Sequence, residues 1–132
     1  MAQPAAPNDA LDAPIRRGDI LWMNCDPSVG AEPRKIRTCV VVSNDIANRF
    51  GQTITVIPTQ EYSAERAERA YMTDLRHPRS TLAENRVANA SMIMTYDRIR
   101  VARRAGKVTT QTLEHIDRGL AVHLALDLRG SP

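Results

Sequence analysis

Apolar positions along the chain fall in short runs whose period changes. In Asp19–Cys25 (DILWMNC), Ile20 and Trp22 share one face and Leu21, Met23 and Cys25 the other. Both faces are apolar, which predicts a strand covered on both sides. Arg37–Ser43 (RTCVVVS) is a β-branched run of the same kind. Between them, Asp26–Ile36 (DPSVGAEPRKI) carries two prolines and a glycine and predicts a long loop. Asn44–Phe50 reads as a short helical turn that Gly51 breaks. Gln52–Pro58 (QTITVIP) alternates Ile54 and Val56 against Thr53 and Thr55, a third strand. Pro58 has no N–H for a ladder and is placed at its end.

Downstream the pattern weakens. Glu61–Ala70 (EYSAERAERA) has helix propensity without an apolar stripe and reads as a solvated insertion or a short helix. Tyr71–Leu75 reads as a strand, Arg76–Thr81 as a basic turn, and Asn85–Met94 as one or two strands. Thr109–Leu128 predicts a helix capped by Thr109 or Thr110, with Leu113, Ile116, Leu120 and Leu124 as its core stripe. The fold class is therefore mainly β with a C-terminal helix. Strands this short need closure or a cover, and a small barrel plugged by the helix supplies both. A length of 132 residues predicts one domain, spanning 15–132. Residues 1–14 are Pro, Ala, Asn and Asp with little to bury, and read as a flexible tail.

Charge adds a hint of partner. The net charge is +3, and 16 of the 18 basic residues are Arg. Arginine is the better planar partner for phosphate, so a polyanion is indicated. No apolar run approaches the roughly 18 residues of a membrane helix, and the N-terminus lacks the basic and apolar segments of a secretory signal. Cys25 and Cys39 make no CxxC pair and read as small buried hydrophobes. A soluble protein of the cytoplasm is expected, with no membrane partner. His77, His115 and His123 match no metal spacing, and no glycine-rich phosphate loop occurs, so neither metal nor cofactor is expected.

One polar constellation remains. Glu32, Arg34, Lys35 and Arg37 lie where the first loop enters the second strand, and Thr59 follows the third. If these strands pair, the start of one and the end of the other meet at one sheet edge. Two readings stay open: a solvated charged loop with Thr59 as a turn former, or an anion site. The chemistry of the second is narrow. A guanidinium fits phosphate oxygens and offsets the charge of a phosphorane, and a threonine hydroxyl adds a hydrogen bond. RNA brings its own nucleophile, the 2′-OH, so its transesterification needs positioning, charge and proton transfer but no covalent nucleophile.

The same residues carry a resemblance. RRGDILW at 16–22, DPSVGAE at 26–32, KIRTCVVVSND at 35–45 and VIPT at 56–59 are similar, in that order, to the MazF/PemK family of toxin endoribonucleases. SMIMTYDRIR at 91–100 and GKVT at 106–109 continue the order, so the resemblance spans 16–126. It implies a small SH3-like β-barrel, similar also to gyrase-inhibiting toxins of the CcdB kind. It further implies a homodimer that cleaves single-stranded mRNA at a short motif without metal, leaving a 2′,3′-cyclic phosphate and a 5′-OH. A cognate antitoxin would neutralise it.

Residue by residue, the resemblance puts the catalytic pair on Arg37 and Thr59. It makes Glu32 a catalytic or substrate-positioning candidate, and Gly18, Pro27 and Gly30 shapers of the first strand and loop. Arg34, Lys35 and Asn44 are candidates to position RNA. Arg66, Arg69, Arg76 and Arg79, in a variable insertion at 61–80, are either phosphate contacts or a solvated loop. Arg98, Arg100, Arg103 and Arg104 face RNA, antitoxin or solvent. The chain departs from the pattern at Thr38 (proline in the family), Ala31 (histidine in some members), Ser91-Met92 (an Asp-Gln step) and Met94 (arginine), so chemistry through those positions is not carried over. Trp22, Phe50 and Tyr62 are expected to pack rather than to stack on bases. The competing functions are an RNA- or partner-binding barrel that does not cut, and a gyrase-directed toxin.

Overall fold

The computed structural model describes residues 13–26 and 35–128; the expectations for tail residues 1–12 and for Pro27, Gly30, Ala31, Glu32 and Arg34 lie outside the described residues. In chain order the elements are β1 (Asp19–Asn24), β2 (Ile36–Val41), α1 (Asp45–Phe50), β3 (Thr53–Glu61), α2 (Ala64–Ala67), β4 (Met72–Asp74), β5 (Arg86–Asn89), β6 (Met94–Asp97), β7 (Val101–Lys107) and α3 (Thr110–Leu124). Gly18 turns the chain into β1 at φ +94°, a conformation that favours glycine, while its N–H bonds Val41 O at 2.8 Å.

All strand pairs are antiparallel. β1 lies between β2 and β7, and β2 pairs with the first part of β3, which pairs on its other side with β6. A 3-10 turn at Arg98–Arg100 joins β6 to β7, so the chain itself bridges the two edges of this five-stranded run. The last residues of β3 leave β6 and pair with β5, which carries β4 on its outer side. The third strand therefore runs past Pro58 to Glu61, beyond its expected end. Pro58 faces Cys39 of β2 and sits after the last residue paired with β6, Val56, and before the first paired with β5, Thr59. A residue without an N–H is tolerated where the strand changes partners.

Two apolar clusters explain why the first two strands read as apolar on both faces. Leu21, Met23, Cys39, Val41, Val56 and Tyr96 pack inside the curved run of strands. Ile20, Val40, Ile57, Leu75, Ala88 and Ile116 pack on the opposite face, beneath α3. Arg17 fastens the covering helix, bonding Val42 O through Nε at 2.9 Å and pairing with Asp117 of α3.

Thr109 caps α3, its hydroxyl accepting from Thr112 N at 3.1 Å. Thr112, Ile116 and Gly119 are the buried residues of the helix. A Cβ on Gly119 would stand 3.2 Å from Tyr71 O, so glycine lets the helix approach the chain leading into β4. The expected stripe is partly corrected: Leu120 is half-buried and Leu124 is 47% exposed. At roughly 100° per residue, Leu124 projects about 110° from the centre of the buried face. The helix also ends at Leu124 rather than Leu128, closed by Ala125 in a left-handed conformation and a Leu126 N bond to Ala121 O at 2.8 Å.

The sequence pattern did not reveal β7, since VARRAGK has no alternation. Its arginines are held by β1 and its flank: Arg104 pairs with Asp19 at 2.7 Å, and Arg103 lies 5.2 Å from the Trp22 ring centroid. Arg104 also bonds the carbonyls of Ala13 and Pro14, so the last two residues of the expected tail are tied to this strand. Of the expected strands in 85–94, one forms as β5; a 3-10 turn at Ala90–Met92 follows, and β6 begins at Met94.

Candidate active site

Strand register assembles the site. Ile20, Val40 and Ile57 stand opposite one another beneath α3. Two residues further along, Trp22 stands opposite Thr38, and Thr59 follows Ile57 at the same interval. At this end of the face a cavity of about 260 Å³ opens, lined by Trp22, Ile36, Arg37, Thr38, Glu84 and Arg86, none of them from α3.

Arg37 and Thr59 meet, as the pairing of the second and third strands requires. Arg37 Nη1 donates to Thr59 O at 3.2 Å. Thr59 has no exposed surface, and its hydroxyl shares a hydrogen bond with the Thr38 hydroxyl at 2.5 Å. Arg86 of β5 completes the group, giving Nε to Thr59 Oγ1 at 3.0 Å and Nη2 to Thr59 O at 3.0 Å. The β3–β5 pairing places it there, since Ala88 faces Thr59 and Arg86 faces Glu61. Two guanidinia thus share one carbonyl oxygen. Arg37 Nε is buried without a hydrogen-bond partner among the described residues. Burial first, and then the neighbouring Arg37 charge, lower the pKa of Arg86, against the opposing pull of Glu84 and Glu61. Among the described residues no carboxylate stands within ion-pair distance of either guanidinium. The arrangement is a polar pocket whose wall carries two guanidinia against one carboxylate, Glu84, a net positive lining suited to an anion.

The other candidates separate. Lys35 is exposed at φ +60°, its N–H on Asp26 Oδ1 at 2.7 Å. Asn44 is the N-cap of α1, its side chain accepting from Ala47 N at 2.8 Å, which commits that side chain to the helix. Arg66 bonds Glu61 O at 2.7 Å and lies close enough to Arg86 to depress its pKa further. Arg69 is exposed. Arg76 and Arg79 belong elsewhere, paired with Asp74 at 2.8 and 3.6 Å beside a second cavity of about 500 Å³ between β4 and α3. Tyr62 packs as expected, with Arg76 3.7 Å from its ring centroid. Phe50 does not: it ends α1 outside both apolar clusters and is 75% exposed. Cys25 and Cys39 are buried free thiols. Among the described residues no group of three metal-ligating side chains forms, and no helix is long and apolar enough to cross a membrane.

Arg86 was missed in the sequence. No local motif marks it, and its role at Thr59 depends on a strand pair joined across more than twenty residues. Thr38 drew attention only as a departure, yet its hydroxyl holds Thr59.

A small antiparallel β fold with a covering helix and an arginine–threonine anion pocket defines the class. Comparison with known proteins narrows it. Residues 16–124 match the family described as the PemK-like, MazF-like toxin of type II toxin-antitoxin systems. The chain is 33% identical over 117 residues to endoribonuclease MazF9 of Mycobacterium tuberculosis, covering 85% of this chain and 98% of that one. It is 25% identical over 112 residues to endoribonuclease EndoA of Bacillus subtilis, covering 85% and 96%. In fold it is similar to MazF of Deinococcus radiodurans, with a TM-score of 0.73, 20% identity, and 86% and 99% of the chains covered. It is similar likewise to a mycobacterial endoribonuclease solved in complex with its cognate antitoxin, with a TM-score of 0.70, 19% identity, and 87% and 98% covered. The chain belongs to the PemK-like, MazF-like toxin family.

Proposed function

We propose that this toxin is an endoribonuclease that cleaves single-stranded RNA at a short motif without a metal and is neutralised by a cognate antitoxin. The observation that carries the reading is the cation-lined pocket at Thr59, in a chain whose relatives MazF9 and EndoA are endoribonucleases. The antitoxin follows from family membership and from the relative solved with one.

In the reaction, the 2′-oxygen attacks the adjacent phosphorus and the bond to the 5′-oxygen breaks. The 2′ proton goes to a base and a proton is returned to the leaving oxygen, giving a 2′,3′-cyclic phosphate and a 5′-OH. The Arg37 guanidinium faces the charge that grows on the phosphorane oxygens. Thr59 positions that guanidinium through its carbonyl. Glu32 is the carboxylate assigned to proton transfer or to substrate positioning. Trp22 and Ile36 supply the apolar part of the cavity wall, where a base or ribose would lie.

A homodimer is part of the proposal. Ile46 and Phe50 of α1 are each 75% exposed, and Ile99 of the neighbouring 3-10 turn is 86% exposed. The two elements are joined by Arg98 bonding the Asn48 carbonyl. A second copy would cover them.

The test incubates the protein with a long, mostly unstructured RNA in EDTA and maps the fragment ends. Discrete cuts with cyclic-phosphate ends are expected, with Arg37→Ala slower by about 100-fold or more, the scale of losing one transition-state donor. Intact RNA from folded wild type would sink the enzyme reading in favour of a non-cutting barrel; altered DNA supercoiling by gyrase would point to the CcdB kind.

A further inference from the structure

We propose that Arg86 is a second phosphate-binding catalytic residue, closing with Arg37 a two-guanidinium clamp on the scissile phosphodiester; this rests on the ribonuclease reading above. The clamp begins with geometry. Thr59 O accepts from Arg37 Nη1 at 3.2 Å and from Arg86 Nη2 at 3.0 Å, so the two guanidinia lie side by side at one rim of the cavity. Arg86 spends Nε and one Nη2 hydrogen on Thr59, which fixes its plane. A guanidinium has five N–H donors, so three of its hydrogens remain for another partner.

Electrostatics points the same way. Like charges repel, burial disfavours the charge on Arg86, and among the described residues neither arginine meets a carboxylate at ion-pair distance. Arg66 adds a third positive charge nearby. Thr59 does not depend on Arg86 alone for its hydrogen bonds. Without Arg86, the Thr59 hydroxyl still has Thr38 and its carbonyl still has Arg37. Glu84 and Glu61 offset part of this charge without pairing with it; an anion in the cavity would offset the rest, and the two non-bridging oxygens of a phosphodiester match two guanidinium forks. Charge on those oxygens rises as the 2′-oxygen adds, so the second cation binds the transition state more tightly than the ground state and acts on rate.

The test compares wild type with Arg86→Gln and Arg86→Lys in three measurements. These are cleavage of a long unstructured RNA in EDTA, binding of the same RNA fully 2′-O-methylated, and the thermal midpoint against added inorganic phosphate. Arg86→Gln is expected to melt like wild type without phosphate but to cut 10- to 100-fold more slowly, mainly in kcat. The salt slope of its RNA binding should fall by about one, and phosphate should no longer raise its midpoint. Arg86→Lys, a point charge in place of a fork, should recover part of each loss. An Arg86→Gln variant that cuts at the wild-type rate overturns the clamp. Should wild type leave all RNA intact, the ribonuclease reading fails, and the phosphate titration alone decides the clamp: an equal shift in both proteins, or none in either, overturns it.

Discussion

Thr59 has no exposed surface, yet Arg37, Thr38 and Arg86 all spend hydrogen bonds on it. Its chemistry is therefore that of a post rather than a free donor. The hydroxyl orients Arg86 and Thr38, and the carbonyl orients both guanidinia. Replacing Thr59 by Val keeps the shape and the carbonyl but leaves the Thr38 hydroxyl buried without its partner. An unsatisfied buried polar group costs about 1–3 kcal/mol. Urea unfolding of Thr59→Val should show a loss of that size, and Thr59→Ser, which restores the hydroxyl, should recover most of it. Equal stability of Thr59→Val and wild type would mean that the network contributes nothing to the fold.

At the scale of elements, β4 and the turn after it make a small charge network beside α3. Asp74 accepts from Arg76 Nε at 3.1 Å and from Arg76 N at 2.9 Å, with Arg79 at 3.6 Å. Burial pushes the carboxyl pKa up, but the two kinds of Arg76 hydrogen bond and both guanidinium charges outweigh it and leave it lowered. The unfolded state thus binds the proton more readily. The stabilisation is present above the ordinary carboxylate pKa of about 3.9 and is lost as pH falls through the lower folded value. Arg76 and Arg79 are 40% and 52% exposed, so solvent screening keeps the effect small. Comparing urea midpoints at about pH 6 and about pH 3, Asp74→Asn should show a smaller acid-side drop than wild type. The same network explains why Arg76 and Arg79 stand apart from the candidate site although they share the 61–80 segment with Arg66.

For the whole molecule, the uncovered apolar surface on α1 and the 3-10 turn before β7 is where assembly is expected. Ile46, Phe50 and Ile99 belong to neither apolar cluster, and burying one such side chain against a second copy is worth about 1.5–3 kcal/mol. Phe50→Glu should shift sedimentation from dimer to monomer while leaving the far-ultraviolet spectrum unchanged, because the side chain belongs to neither apolar cluster and its ring meets only the flexible guanidinium of the adjacent Arg49, 5.3 Å from its centroid, among the described residues. A variant that sediments like wild type would remove α1 from the interface.

Local sequence determined the elements whose pattern matches their burial. Doubly apolar β1 and β2, the alternating start of β3, the Asn44-capped turn and the Thr109-capped helix are all legible because hydrophobic period and capping chemistry act over a few residues. The meeting of Arg37 with Thr59 is also legible, since it needs only that neighbouring strands pair. Tertiary structure decided the rest. Pro58 lies within β3 because the strand changes partners around it, which no local rule reveals. The basic strand β7 forms because Asp19 and Trp22 of β1 receive its arginines. Leu124 stays exposed because the chain at Tyr71, leading into β4, takes the face of α3 centred on Thr112, Ile116 and Gly119. Arg86 joins the site only because Ala88 pairs with Thr59. In each case the deciding partner is far away in sequence, and pairing across that distance sets which side chains share a pocket.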